Sequence, residues 1–361
     1  MSKFLKLSLF AILILSLSAF LAACGNSNTE DSSEDSNASG EDGESGEVNL
    51  YTSRHYETDQ ALYDTFTEET GIKVNVVEGS GDELIERLNQ EGESTEADLF
   101  ITADAGNLHA ASESGLLQPV ESDVLNGNIP EKFRDVDNEW FGLTKRARVI
   151  VYDKERVDPS ELSTYEALTE PEWEDRIAIR SSSNMYNISL LASFIELNGS
   201  EEAASWAGGI TNNMAIEPQG GDRDQAKAVA AGQADVAVMN TYYIGGMLNS
   251  EDPEEVKVAE SLGVFFPNQE TTGTHVNISG ISMTKSAKNA ENAQKLMEFL
   301  SNEKSQEQFA SANYEYPVNP NVEVTGLLES WGEFKEQDIN LSVLGENQQE
   351  AIRLFDQAGW K

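Results

Sequence analysis

From Val48 to about Thr144 the chain alternates strand and helix, and that succession restricts the fold more than any other feature. VNLYTS reads as a short strand, and Glu57 to Thr70 as a helix with Leu62, Tyr63 and Phe66 on one face and Gly71 at its end. IKVNVVEG alternates apolar residues as a strand does. Asp82 to Glu91 places Leu84, Ile85 and Leu88 on one helical face, and ADLFITA is a continuous apolar strand. Asp104 opens a further helix that stops at Gly115. Such a β-α-β-α-β order predicts an α/β fold with a largely parallel sheet and helices on its faces.

A second block repeats the pattern from about Ala147 to Pro267. IAIRSS, MAIEPQ and ADVAVMN read as strands, and Ile188–Leu197, Glu201–Gly208 and Asp222–Gly232 as helices. VIVYD reads as a strand crossing from the first block, and THVNISGISMT as the return. Glu291–Leu300 and Gln349–Ala358 are amphipathic helices near the end. The expected organisation is a first lobe over 48–146, completed by about 270–361, and a second lobe over 147–269. Two crossings between two lobes leave a cleft, a common place for a small ligand.

The first residues fall outside this pattern. Lys3 and Lys6 precede an apolar run that ends in Leu21-Ala22-Ala23-Cys24-Gly25, so residues 1–23 read as a secretory signal. The cysteine after the small residues resembles a bacterial lipobox, in which Cys24 carries lipid. Read instead as an uncleaved anchor, the run still tethers the rest of the chain outside the cytoplasm. Cys24 is the only cysteine, so no disulfide, thiolate metal site or cysteine nucleophile is available. Residues 24–47 comprise Cys24 and an acidic, polar segment that buries too little to fold, a flexible spacer. The net charge of −40 argues against nucleic acid and anionic membrane surface as partners.

The residues that carry chemistry stand where strands give way to helices. Arg54-His55-Tyr56 follows VNLYTS, Asn184-Met185-Tyr186 follows IAIRSS, and Thr241-Tyr242-Tyr243 follows ADVAVMN. In open α/β sheets ligands bind beyond the carboxyl ends of the strands, so four phenols and one imidazole are directed to one region. Fe(III) is a hard acid that prefers anionic oxygen. A phenol, with a pKa of about 10, stays neutral until a metal displaces its proton. Taken singly, a Tyr-Tyr pair serves equally as packing or as a sugar-stacking surface. The other six tyrosines (Tyr51, Tyr63, Tyr152, Tyr165, Tyr314 and Tyr316) are assigned to core or surface. His109 reads as a surface residue and His275 as structural.

The segments YTSRHYETD, RSSSNMYNIS, PQGGDRDQ, NTYYIGG and GTHVNISG resemble the ferric-iron-binding proteins of bacterial ABC importers, from about Val48 to the C-terminus. The resemblance implies a two-lobed periplasmic-binding-protein fold of type II, two mostly parallel sheets flanked by helices with a hinge between the lobes. By motif it implies Fe(III) as the bound ligand, held by His55, Tyr56, Tyr186, Tyr242 and Tyr243. Arg54 and Arg223 are expected behind them, offsetting phenolate charge. It also implies a monomer that delivers iron to an ABC permease and its ATPase, tethered through Cys24.

Two rival readings remain at this level. A cleft rich in aromatics also suits a polyamine, thiamine or a sugar. An enzyme is disfavoured: Gly221-Asp222-Arg223-Asp224 and Ser181-Ser182-Ser183 offer acids and hydroxyls, but no G-x-S-x-G elbow and no H-E-x-x-H motif is present.

Overall fold

The computed structural model describes residues 46–54 and 56–361. The signal, Cys24, the spacer up to Ser45 and His55 lie outside the described residues. The strands are β1 (Gly46–Thr52), β2 (Ile72–Glu78), β3 (Leu99–Ala103), β4 (Leu117–Gln118), β5 (Trp140–Asp153), β6 (Ile177–Ala178), β7 (Val236–Asn240), β8 (Leu262–Phe265), β9 (Val276–Thr284) and β10 (Tyr316–Pro317). They pair in the order β2-β1-β3-β9-β5-β7-β6, with β4 beside β9 and with β8 and β10 beside β5.

Parallel pairing holds at β1–β2, β1–β3 and β6–β7. The two crossing strands enter antiparallel to their neighbours. Along β5, residues from Trp140 to Ala147 pair with β9, Arg148 to Tyr152 pair with β7, and Ile150 to Asp153 pair with β8. One strand therefore belongs to both groups, and VIVYD is its second half. β9 returns beside β3.

Local sequence explains the first group. The helix Glu57–Thr70 buries Leu62, Tyr63 and Phe66, and ends where Gly71 adopts φ 76° and returns its N–H to the Thr67 carbonyl. The helix Gly81–Glu91 begins with a capping box, in which the Glu83 N–H donates to Ser80 Oγ and Ser80 N–H to the Glu83 carboxylate.

One expectation is corrected in the second group. MAIEPQ forms no strand, and only Met214 bridges to Ile177. Pro218 lacks an N–H to donate, and Gly220 turns the chain at φ 70°. The helix Gln348–Ala358 packs on the helices Met185–Asn198 and Ser200–Asn213. Its buried Leu354 and Phe355, with Trp360 against Phe355 and Trp206, find their apolar partners there. The Trp360 indole N–H donates to the Arg180 carbonyl at 3.0 Å.

His275 is buried at the start of the return crossing, as its structural reading requires. Nδ1 lies 3.0 Å from Gln337 Oε1. Burial lowers its pKa to about 3, with Gln337 opposing and Arg148 and Arg146 reinforcing the effect, so the imidazole is neutral at physiological pH. His109 is half-buried against Gly345 rather than fully at the surface. Among the described residues no helix is long and apolar enough to cross a membrane.

Candidate metal centre

The three junctions meet. Tyr56 follows β1, Tyr186 lies in the first turn of the helix Met185–Asn198, and Tyr242 and Tyr243 open the helix Thr241–Leu248 directly after β7. All four side chains line one cavity of about 400 Å³. The Tyr242 hydroxyl donates to that of Tyr186 at 3.0 Å, and the rings of Tyr242 and Tyr243 lie 4.2 Å apart between centroids. Asn184 fixes the start of its helix by accepting the Tyr186 N–H.

The four phenols sit among arginines. Arg146, Arg148 and Arg180 lie 5.5, 5.9 and 5.5 Å from the Tyr186 ring centroid. Arg148 and Arg180 share the buried Asp222 carboxylate at 3.3 and 3.4 Å. Arg146 instead acts at a distance on the buried Asp104 carboxylate, whose pKa burial raises and Arg146 pulls back. Arg146 is 1% exposed, Nη1 reaches Ser279 Oγ at 3.4 Å, and Nε and Nη2 have no hydrogen-bond partner. A buried guanidinium with unmatched donors beside phenols favours negative charge in the cavity.

Without metal, Tyr56, Tyr186 and Tyr242 are held neutral. Burial and the Glu315 carboxylate push Tyr56 up to about 12, with Arg54 pulling the other way. At 36% exposure Tyr56 remains in contact with solvent, which screens part of this effect. Burial and the Tyr243 phenol raise Tyr186, against Arg146. Burial and the neighbouring phenols raise Tyr242 well above the ordinary tyrosine value. A cation entering here must displace protons. Among the described residues no group of three or more His, Cys, Asp or Glu side chains is placed to hold a metal. The four phenols gathered in this cavity offer, once deprotonated, the anionic oxygen a hard trivalent ion prefers.

The same arrangement occurs in a chain whose sequence matches, over residues 61–336, the family described as bacterial extracellular solute-binding protein. The chain belongs to that family. It is 49% identical to iron uptake protein A1 of Synechocystis sp. over 344 residues, 95% of this chain and 94% of that protein. Among solved structures it is similar to the Trichodesmium protein (IdiA, FutA) in complex with iron and citrate. The identity is 51% and the TM-score 0.86, covering 88% of this chain and all of that one. It is also similar to the ferric binding protein from Campylobacter jejuni, at 47% identity and a TM-score of 0.82, covering 87% and all of the two chains. Its fold is thus the two-lobed α/β fold of periplasmic-type binding proteins.

In this solute-binding protein both expected arginines line the cavity, and each is also paired with carboxylate. Arg54 is buried 5.0 Å from the Tyr56 ring centroid, but it pairs with both Asp59 at 2.6 Å and Glu315 at 2.9 Å. Arg223 lines the cavity, yet pairs with Glu255 at 2.9 Å, and its side chain is 45% exposed. Both are matched by carboxylates, whereas Arg146 keeps two donors without a hydrogen-bond partner. Its signal in the sequence is faint: one of three cations, Lys145, Arg146 and Arg148, in the crossing strand. Tyr314, assigned to core or surface, lines the cavity with Asn313 and Glu315. His55 lies outside the described residues.

Arg54 yields a stability prediction. Arg54→Leu leaves Asp59 and Glu315 buried without their cation, and breaking such a pair from one side costs about 3–5 kcal/mol. Urea unfolding of the empty protein is expected to show that loss. A midpoint within error of the parent excludes the triad as a structural support for Tyr56.

Proposed function

We propose that this chain is an extracytoplasmic Fe(III)-binding protein that delivers iron to an ABC importer. The observation that carries the reading is the convergence of Tyr56, Tyr186, Tyr242 and Tyr243 on one cavity beside the unmatched Arg146 guanidinium. The donor set fits the cargo: four phenolates around a trivalent ion leave one negative charge, beside the guanidinium groups of Arg146, Arg148 and Arg180. His55 is the fifth ligand in this reading, by its position before Tyr56. The names of the more similar relatives, given for iron uptake or ferric binding, support iron over an organic solute and a binder over an enzyme.

In this reading the empty protein opens about a hinge at the β5 and β9 crossings, and metal bridging Tyr56 to the other three phenols stabilises closure. The closed form is what a permease and its ATPase receive. Lipid on Cys24 and the spacer hold the protein, as a monomer, at the outer face of the cell membrane. Visible absorption during titration with chelated Fe(III) tests the proposal. A saturable phenolate-to-iron charge-transfer band at one iron per chain is expected. No band and no bound iron overturn it in favour of an organic solute.

A further inference from the structure

Tyr314 ends the helix Glu303–Asn313 in the left-handed region, at φ 55° and ψ 35°. For a bulky residue this is an outlier, and such strain persists only where the surroundings demand it. The surroundings are explicit. On one side Asn313 accepts from Thr58 Oγ1 at 2.8 Å and donates to Asp59 at 3.1 Å. On the other, Glu315 accepts from Arg54 at 2.9 Å. Tyr314 is thereby tied, through both neighbours, to the segment that carries Tyr56.

Its side chain meets the opposite group of elements. A Cβ added at Gly245 would stand 2.6 Å from Tyr314 Cβ and 2.8 Å from Cγ. Tyr314 therefore rests on bare backbone of the helix Thr241–Leu248, one turn beyond Tyr242. The next residue, Gly246, meets only the end of the Arg223 side chain, at 3.2 Å, which can move. Gly245 is the position where the absence of a side chain is required.

From this we propose that Tyr314 seated on Gly245 is a latch that holds the cavity closed and sets how fast bound iron escapes. The proposal rests on the iron reading above. Any motion that separates Tyr56 from Tyr242 and Tyr243 must unseat Tyr314, because the loop and Tyr56 share their anchors. The contact involves no metal donor, so it acts on release rather than on coordination.

The test uses two substitutions compatible with the local backbone. Alanine is a better helix former than glycine, so Gly245→Ala suits its helix while filling the seat. Tyr314→Gly removes both clashing atoms and places glycine at a φ that glycine accepts freely. With the iron-loaded protein, release to excess EDTA is followed through the charge-transfer band. Gly245→Ala is expected to accelerate release about tenfold or more, with one iron per chain retained. In the Tyr314→Gly background the same substitution is expected to have no further effect. A wild-type rate in Gly245→Ala overturns the latch, and so does equal acceleration in both backgrounds. If the parent protein shows no band at all, the iron reading fails and takes the latch with it.

Discussion

Replacing Tyr242 and Tyr243 together with phenylalanine is expected to lower Fe(III) affinity at least about 10⁴-fold, roughly 5–6 kcal/mol at 1.4 kcal/mol per decade. The substitutions keep both rings, and with them the 4.2 Å contact between the two. They remove two of the four phenolate donors and the hydrogen bond from Tyr242 to Tyr186. Loss of that hydrogen bond costs the fold only about 0.5–1.5 kcal/mol, so thermal unfolding of the empty variant should stay close to the parent. Equilibrium dialysis against a competing chelator measures the change. Parent-like affinity in the double variant would place the metal elsewhere.

Lowering the pH is expected to release iron more steeply than any single substitution. Tyr56 is pushed up to about 12, and Tyr186 and Tyr242 are also raised, chiefly by burial. All three carry their protons at neutral pH. Iron bound as a phenolate complex has displaced them, so protons and metal compete and affinity falls as pH falls. With three to four protons displaced per iron, the apparent constant drops by about three to four decades per pH unit. Chelator competition between pH 8 and pH 6 measures this slope. A flat profile is incompatible with phenolate ligation.

Much of the frame was readable from local pattern. The helix Glu57–Thr70 emerged with its observed ends because apolar spacing and Gly71 are properties of adjacent residues. The tyrosine junctions were legible for a related reason: a strand followed by a helix start directs its residues to the ligand-binding edge. MAIEPQ failed because apolar character alone does not supply a strand partner, and past Met214 none pairs with it.

The site's charges were not legible in this way. Arg54 and Arg146 are both cations beside polar neighbours in the sequence, and both are buried in the fold. Arg54 is paired with Glu315, 261 residues away, while Arg146 keeps Nε and Nη2 without a hydrogen-bond partner. Tyr314 reads as core or surface until Gly245, on a distant helix, is found beneath it. The sequence by itself determined most of the order of strands and helices and the junctions that carry the four phenols, because these follow from nearest neighbours along the chain. The tertiary structure alone decided which arginines find carboxylate pairs and which tyrosine sits on Gly245. Both depend on long-range partners, and whether a charge is already matched is a property of packing rather than of local sequence.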